Sequence, residues 1–210
     1  MISASDKYEK KRHGKTKRKK IRRCAMDNKE FSFNYSLEHN TINVFGVIDD
    51  RMAEMVIAQL QYLDNKGADE IIMQFNSPGG SVSAGLAIYD TMNFVKARII
   101  TVALGTVASM AAFLLSAGSR GYRRATANSE ILIHQPLGGA QGQASDIIIA
   151  ANHIKRTKDR LNRIMAENTG KPIEVIEQDT DRDKILTAEE ALDYGLIDEV
   201  IPSRNKAKEG

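Results

Sequence analysis

Residues 99–118 read IITVALGTVASMAAFLLSAG, and this stretch decides the fold. Its first part, Ile99 to Leu104, is rich in β-branched residues and predicts a buried strand. Gly105 interrupts the pattern, and the alanine-rich run after Ser109 predicts a short buried helix. The uncharged run is long enough to span a bilayer. However, its small residues, its glycine and its β-branched start favour a strand, a turn and a helix inside a globular domain.

Strands and helices alternate on both sides of this stretch. The elements predicted before it are a strand at 41–47, a helix at 51–65, a strand at 70–75, a turn at 76–81 and a helix at 84–97. Those predicted after it are a strand at 130–134, a long helix at 145–168, a capped helix at 187–194 and a strand at 196–201. Such alternation predicts an α/β fold with right-handed crossovers and a largely parallel sheet flanked by helices. The long helix is expected to protrude towards a partner.

Charge divides the chain into a basic tail and a main domain. The first thirty of the 210 residues hold 12 Lys and Arg against 4 Asp and Glu. We expect a disordered tail at 1–30, a folded domain at 31–203 and a C-terminal tail at 204–210. No apolar run follows the basic residues, so the tail is not a signal peptide. Only one aromatic residue, Tyr8, lies among its charges, which favours a solvated or processed extension over a nucleic-acid-binding arm.

The single cysteine, Cys24, excludes an intrachain disulfide and favours a reducing compartment, so we expect a cytoplasmic protein. No His and Cys cluster has the spacing of a metal site, and no membrane association is expected. These observations favour neither a secreted disulfide-rich protein nor a metalloenzyme.

Ser109 has two interpretations at the start of its helix. As an N-cap, its hydroxyl accepts a hydrogen bond from an unpaired N–H of the helix. As a nucleophile, its oxygen lies beside backbone donors that stabilise developing negative charge. The second interpretation requires a base, a group that orients the base, and donors for an oxyanion.

The chain offers a candidate for each of these parts. His134 ends a predicted strand and could be the base, although a structural hydrogen bond is the more ordinary role for one histidine. The glycines at 79–80 could expose backbone N–H groups, although a plain turn needs only one glycine. Spacing does not choose an orienting acid among four carboxylates, which an ordinary solvated loop would also contain: Glu177, Asp179, Asp181 and Asp183.

Four separated motifs resemble one protein family in order and spacing. They are NSPGG at 76–80, ASMAAFLL at 108–115 with Gly118, HQPLGG at 134–139, and DTDRD at 179–183 with ALDYGLID at 191–198. Together they resemble the ClpP family, the proteolytic subunits of Clp protease, from about residue 40 to residue 202. The resemblance implies the ClpP/crotonase fold and a serine endopeptidase that hydrolyses unfolded proteins and peptides.

The resemblance also implies a role for individual residues. Ser109 would be the nucleophile, His134 the general base and later acid, and Asp183 the group that orients the imidazole. The backbone N–H groups of Gly80 and Met110 would form the oxyanion hole. A substrate strand would pair with the segment containing Gly138, Gly139, Gln141, Gly142 and Gln143.

Family members assemble as two stacked heptameric rings, a tetradecamer interlocked by the long helix, and serve protein quality control. An AAA+ unfoldase feeds them, and only that partner uses ATP, so the resemblance implies no cofactor in this chain. A second ClpP-type subunit is a further expected partner.

The chain departs from the family pattern at two places. The basic tail stands where the family has its gating segment, and Ile72 and Gln74 stand where aromatic residues commonly help line the unfoldase docking pocket. An unsatisfied buried amide costs about 1–3 kcal/mol. We therefore hypothesise that an unfoldase docks weakly, or that a second subunit type supplies the docking face.

Two functions are alternatives to the endopeptidase. One is a regulatory or weakly active subunit of a mixed ring, whose altered docking face and basic tail recruit a partner. The other is a crotonase-like acyl-CoA enzyme, which would not need the full triad.

Overall fold

The computed structural model describes residues 34–203, so the predicted tails at 1–30 and 204–210 lie outside the described residues. Contacts divide the chain into units at 1–39 and 40–210. In the described part of the first unit, residues 34–38 are helical. There the His39 ring donates a hydrogen bond to the Tyr35 carbonyl oxygen at 2.7 Å. The second unit holds the sheet and the candidate site.

The second unit is a mixed α/β structure, as predicted, and its sheet is almost entirely parallel. Its strands are β1 Thr41–Phe45, β2 Glu70–Ser77, β3 Arg98–Ala108, β4 Arg123–Thr126, β5 Glu130–Ile133, β6 Lys184–Thr187 and β7 Glu199–Ile201. Its helices are α1 Asp50–Asn65, α2 Val82–Phe94, α3 Met110–Ser116, α4 Ala144–Thr169, α5 Ile173–Asp179 and α6 Ala188–Tyr194. The main strand order is β1-β2-β3-β4-β7, while β5 pairs with β3 and β6. Of these pairings, β5 with β6 is antiparallel and the others are parallel.

Local capping explains where several helices begin and end. The Asp49 carboxylate accepts a hydrogen bond from the Met52 N–H at 2.8 Å and starts α1. The predicted capping box at α6 is present, with Thr187 and Glu190 bonding each other's backbone N–H. Gly170 ends α4 with a left-handed φ of 74°. Such signals are carried by single residues; the sequence predicted the capping box of α6, whereas the Asp49 cap of α1 was not predicted.

The hydrophobic core lies between the sheet and the helices packed on it. Ile71, Met73 and Phe75 alternate along β2 and are fully buried. On α1, the face formed by Val56, Leu60 and Leu63 is fully buried, as the apolar spacing of the sequence indicates, whereas Met52 is only partly buried. Each such large apolar side chain contributes about 1.5–3 kcal/mol relative to exposure. This core supports the strand ends that carry the candidate site.

The predicted interruption at Gly105 is wrong, because β3 continues to Ala108. Before the glycine, residues 101–103 pair with β4; after it, residues 106–108 pair with β5. Gly105 has a φ of 69°, which turns the chain from one neighbour to the other without ending the strand. The strand therefore runs directly into Ser109.

Short elements account for most of the remaining differences from prediction. The strands β4 and β6 and the helix α5 were not predicted, since each is too short to show a period of its own. The predicted turn at 76–81 loses its first two residues to β2, and α2 begins at Val82 instead of Ala84. Pairing with neighbours decides these boundaries, which local pattern does not report.

The long helix α4 is as prominent as predicted. It has 26 residues, but its buried residues are confined to its C-terminal half, at Leu161, Asn162 and Met165. The three consecutive isoleucines Ile147, Ile148 and Ile149 are 42%, 61% and 65% exposed. These three side chains are thus uncovered in the single chain. Among the described helices, none combines the length and apolar character needed to cross a membrane.

Candidate active site

Ser109 lies in the sharp turn between β3 and α3. Its backbone has φ 57° and ψ −122°, a conformation that costs a non-glycine residue about 1–3 kcal/mol. The turn is held on both sides: the Ser109 N–H donates to the Leu132 carbonyl at 2.8 Å, and its carbonyl accepts from the Phe113 N–H at 3.0 Å. The surrounding hydrogen bonds therefore fix a strained residue at the end of a central strand.

The Ser109 hydroxyl is not used as a helix cap. Ser109 occupies the N-cap position of α3, but its side chain makes no capping hydrogen bond. Its Oγ lies 2.8 Å from His134 Nε2 instead. The hydroxyl is thus paired with a base, which is the arrangement that the nucleophile interpretation requires.

Sheet pairing brings His134 and Asp183 together. Ile133 of β5 pairs with Lys184 of β6 in the antiparallel ladder, so the next residue of β5 faces the preceding residue of β6. His134 Nδ1 lies 2.9 Å from Asp183 Oδ1. The ionised carboxylate only accepts, so Nδ1 carries the proton and Nε2 of the neutral ring is left to accept from Ser109.

The other three acidic candidates lie away from His134. Asp179 accepts hydrogen bonds from Lys184 Nζ at 2.7 Å and from the Tyr194 hydroxyl at 2.9 Å. Burial acts to raise the pKa of Asp179, but these hydrogen bonds and the nearby lysine charge outweigh it and hold the pKa below its ordinary value. Asp181 Oδ2 lies 3.7 Å from Arg182 Nε, and the Glu177 side chain is exposed. The geometry therefore selects Asp183, although spacing could not.

Gln135 ties the loop that carries Asp183 to the end of β5. Its backbone N–H donates to the Thr180 carbonyl at 2.6 Å, and its side-chain amide donates to the Asp181 carbonyl at 2.7 Å. Lys158 on α4 donates to the amide oxygen of Gln135 at 3.0 Å. The role of Gln135 was not predicted, because its place directly after His134 is its only signal in the sequence. These bonds restrain Asp183, whose side chain is 67% exposed.

Both glycines of the segment at 79–80 are needed for close backbone approach. A side chain at Gly79 would place its Cβ 2.7 Å from Ser109 Cβ and 2.9 Å from the Met110 nitrogen. A side chain at Gly80 would collide with the backbone of Ile48. Close packing therefore requires both glycines, whereas a plain strand-to-helix turn would need only one. The contact of Gly79 with Ser109 was not predicted, since contacts between distant segments leave no local pattern.

The segment rich in glycine and glutamine lies open beside this site. Residues 137–143 are exposed, and those from 134 to 141 form neither helix nor strand. At Gly138 an added Cβ would meet the side chain of Ile154 on α4. The backbone of this segment is consequently accessible to another extended chain.

Comparisons with known proteins agree with the geometry of the site. The family model described as Clp protease matches residues 27–204 of the chain. A curated relative, the ATP-dependent Clp protease proteolytic subunit of Ligilactobacillus salivarius (strain UCC118), is 53% identical over 173 residues. That match covers 82% of this chain and 88% of the relative.

Groups of three or more His, Cys, Asp or Glu placed to hold a metal ion do not occur within residues 34–203.

Proposed function

Because the chain belongs to the Clp protease family, we propose that Ser109, His134 and Asp183 are the catalytic triad of this serine-type endopeptidase subunit. The observation that carries the proposal is the continuous contact from Ser109 Oγ to His134 Nε2 and from His134 Nδ1 to Asp183 Oδ1, at 2.8 and 2.9 Å. Each distance suits a hydrogen bond in the direction that catalysis requires.

The reaction follows from these contacts. As Ser109 Oγ attacks the carbonyl carbon of the scissile peptide, His134 Nε2 takes its proton, and Asp183 stabilises the imidazolium that forms. The tetrahedral intermediate collapses when His134 returns the proton to the leaving amine, which leaves an acyl group on Ser109. A water molecule, deprotonated by His134, then releases the acyl product and restores the hydroxyl.

Backbone groups supply the remaining parts. We assign the oxyanion hole to the N–H groups of Gly80 and Met110, supported by the contact between the glycine segment and the Ser109 turn. We assign substrate binding to the open segment containing Gly138, Gly139, Gln141, Gly142 and Gln143, where a peptide could add as a strand. No step of this scheme calls on a metal or an organic cofactor.

A fluorophosphonate probe tests the proposed nucleophile. We expect the assembled wild-type protein to be labelled stoichiometrically, with the modified peptide containing Ser109 when it is mapped by mass spectrometry. Denatured protein serves as the control, because the hydroxyl is activated only beside His134. Absence of labelling in an assembled sample, or labelling at another serine, would contradict the assignment.

The two alternative functions are less well supported. A regulatory subunit would not require the connected triad, and the curated relative is itself a proteolytic subunit. An acyl-CoA enzyme of the crotonase type likewise has no need of all three residues in contact. The geometry of the site therefore favours the endopeptidase.

We further propose that the chain assembles as two stacked heptameric rings and works with an AAA+ unfoldase in the cytoplasm. The exposed isoleucines of α4 support assembly, since an uncovered apolar helix face of this kind favours a partner. The relative's name describes an ATP-dependent protease, which supports an ATPase partner.

A mostly polar row of side chains on one face of the sheet favours weak docking of the usual unfoldase. The parallel register aligns one residue from each of five neighbouring strands in a row across the sheet. In order from β1 to β7, they are Asn43, Gln74, Val102, Arg124 and Glu199. These residues share one face, opposite the buried residues of β2. Gln74 is only partly buried, so the cost of its amide would arise when a partner covers it.

Titration with an unfoldase tests this proposal. After native mass has established the assembly, we expect an unfoldase to bind at least tenfold more weakly to the pure homo-oligomer than to the Gln74→Tyr variant. That variant replaces an amide by an aromatic ring with the same outward position. Tight binding and protein degradation by the unmodified homo-oligomer would remove the need for a second subunit type.

A further inference from the structure

A cavity of about 300 Å³ lies between the start of α2 and one face of α4. From α2 it is lined by Val82, Ser83 and Leu86. From α4 it is lined by residues spaced by three or four positions, which form one face of the helix: His153, Arg156, Thr157 and Arg160. The cavity thus combines aliphatic walls with two hydroxyl groups, an imidazole and two guanidinium groups.

The two arginines of this cavity have no anionic partner. The cavity lining contains no carboxylate. Within residues 34–203, neither Arg156 nor Arg160 makes an ion pair or side-chain hydrogen bond, whereas Arg123, Arg124 and other basic residues do. Like charges four residues apart on a helix repel each other. An anion in the cavity would relieve that repulsion and accept charge-assisted hydrogen bonds.

The cavity is within reach of a peptide bound at Ser109. Gly79 contacts Ser109, and Val82 follows it by three residues, a span of at most about 11 Å. On the other side, Gly138 lies against Ile154, the neighbour of His153, and Gly138 follows the catalytic histidine by four residues. A side chain within about three residues of the scissile bond could therefore enter the cavity.

We infer that this cavity is a substrate subsite that selects an acidic side chain, with Arg156 and Arg160 as the specificity-determining residues. The inference rests on the proposed function of Ser109. Glutamate fits better than aspartate, because Val82 and Leu86 would contact its methylene groups while the guanidinium groups and the hydroxyls of Ser83 and Thr157 bind the carboxylate. The chemistry recognised is a carboxylate, from a side chain or from a peptide terminus.

Matched fluorogenic peptides test the inference. Glutamate or glutamine is placed in turn at each of the three positions on either side of the scissile bond, with amidated and free C-termini compared. In the assembled wild type we expect kcat/KM to be about tenfold higher for glutamate at one of these positions, and less so at high salt. In the Arg156→Gln/Arg160→Gln variant, the two peptides should be cleaved equally.

The controls separate this inference from the proposed function and from misfolding. Lys155→Gln removes one positive charge from the same helix outside the cavity and should keep the preference. Cleavage of the glutamine peptides shows that the triad and the assembly are intact in each protein. Equal kcat/KM for glutamate and glutamine everywhere in the wild type, or a preference unchanged in the double variant, would overturn the subsite. A preference confined to free C-termini would overturn the side-chain assignment in favour of terminal carboxylate binding.

Discussion

Replacing Ser109 by alanine is expected to lower kcat for peptide hydrolysis by about 10⁶-fold, because the variant lacks the hydroxyl oxygen that lies beside His134 and would form the acyl-enzyme. The fold should persist. Alanine meets the same backbone strain as serine at φ 57°, and the hydrogen bonds that hold the turn come from the backbone. Initial rates on a fluorogenic peptide, with native mass as the check on assembly, measure the effect.

Ser116→Ala is the matched control, since it removes another hydroxyl from α3. Ser116 is buried and donates to the Phe113 carbonyl at 2.7 Å, away from His134. Its loss should cost about 1 kcal/mol of stability and leave kcat within a few-fold of wild type. A Ser109→Ala variant that kept even a hundredth of the wild-type kcat would show that another group is the nucleophile.

Asp198→Ala is expected to lower the free energy of unfolding by about 3 kcal/mol or more. Asp198 holds the side chain of Arg123 through contacts of 2.9 and 2.6 Å, and it accepts the Gly121 N–H at 2.8 Å. The Arg123 side chain is only 6% exposed, so the variant leaves a buried charge without its counter-ion. Denaturant unfolding of the assembled protein at fixed concentration measures the loss.

The neighbouring ion pair provides the control. Arg124 Nε lies 2.8 Å from Glu199 Oε2, but the two side chains are 35% and 50% exposed and are not aligned as a hydrogen bond. Glu199→Ala should therefore change stability by less than about 1 kcal/mol. Equal losses in the two variants would refute the argument from burial.

The effect of Asp198 should depend on pH in one direction. Burial acts to raise the pKa of this carboxyl, but the hydrogen bonds from Arg123 and Gly121 outweigh it and hold the pKa below the ordinary 3.8. A carboxyl whose pKa is lowered by folding contributes its full stability at pH values above its ordinary pKa. That stability is lost as the pH falls through the lowered pKa. The difference between wild type and Asp198→Ala should thus be constant near neutral pH and narrow below about pH 4.

The sequence predicts a structural feature well when the residues that cause the feature are neighbours in the chain. The capping box at Thr187, the apolar face of α1 and the α/β alternation are written in neighbouring residues, and all three predictions agree with the structure. The continuation of β3 past Gly105 depends on β5, which is remote in sequence, so a local breaker signal was misleading.

The candidate site divides in the same way. Ser109 and His134 could be named because Ser109 begins a predicted helix, His134 ends a predicted strand, and both lie within recognisable motifs. The choice of Asp183 over its acidic neighbours depends on the pairing of Ile133 with Lys184, and β6 is too short to be seen in the sequence. Gln135 and Gly79 were missed since their roles consist of contacts with distant backbone.

The turn at Gly105 also limits how the chain can change length. Residues 106–108 hold a fixed register against β5, and Ser109 follows them directly. One inserted or deleted residue between Gly105 and Ser109 would shift that register by one position and turn every side chain of the shifted segment to the opposite face of the sheet. The loop at 117–122, between α3 and β4, is also tied to β3, since the Ser119 N–H donates to the Ile99 carbonyl at 2.8 Å and the Tyr122 carbonyl accepts from the Thr101 N–H at 3.2 Å. The number of residues between Gly105 and Ser109 is therefore fixed by strand register, so this segment should accept substitutions but not insertions or deletions.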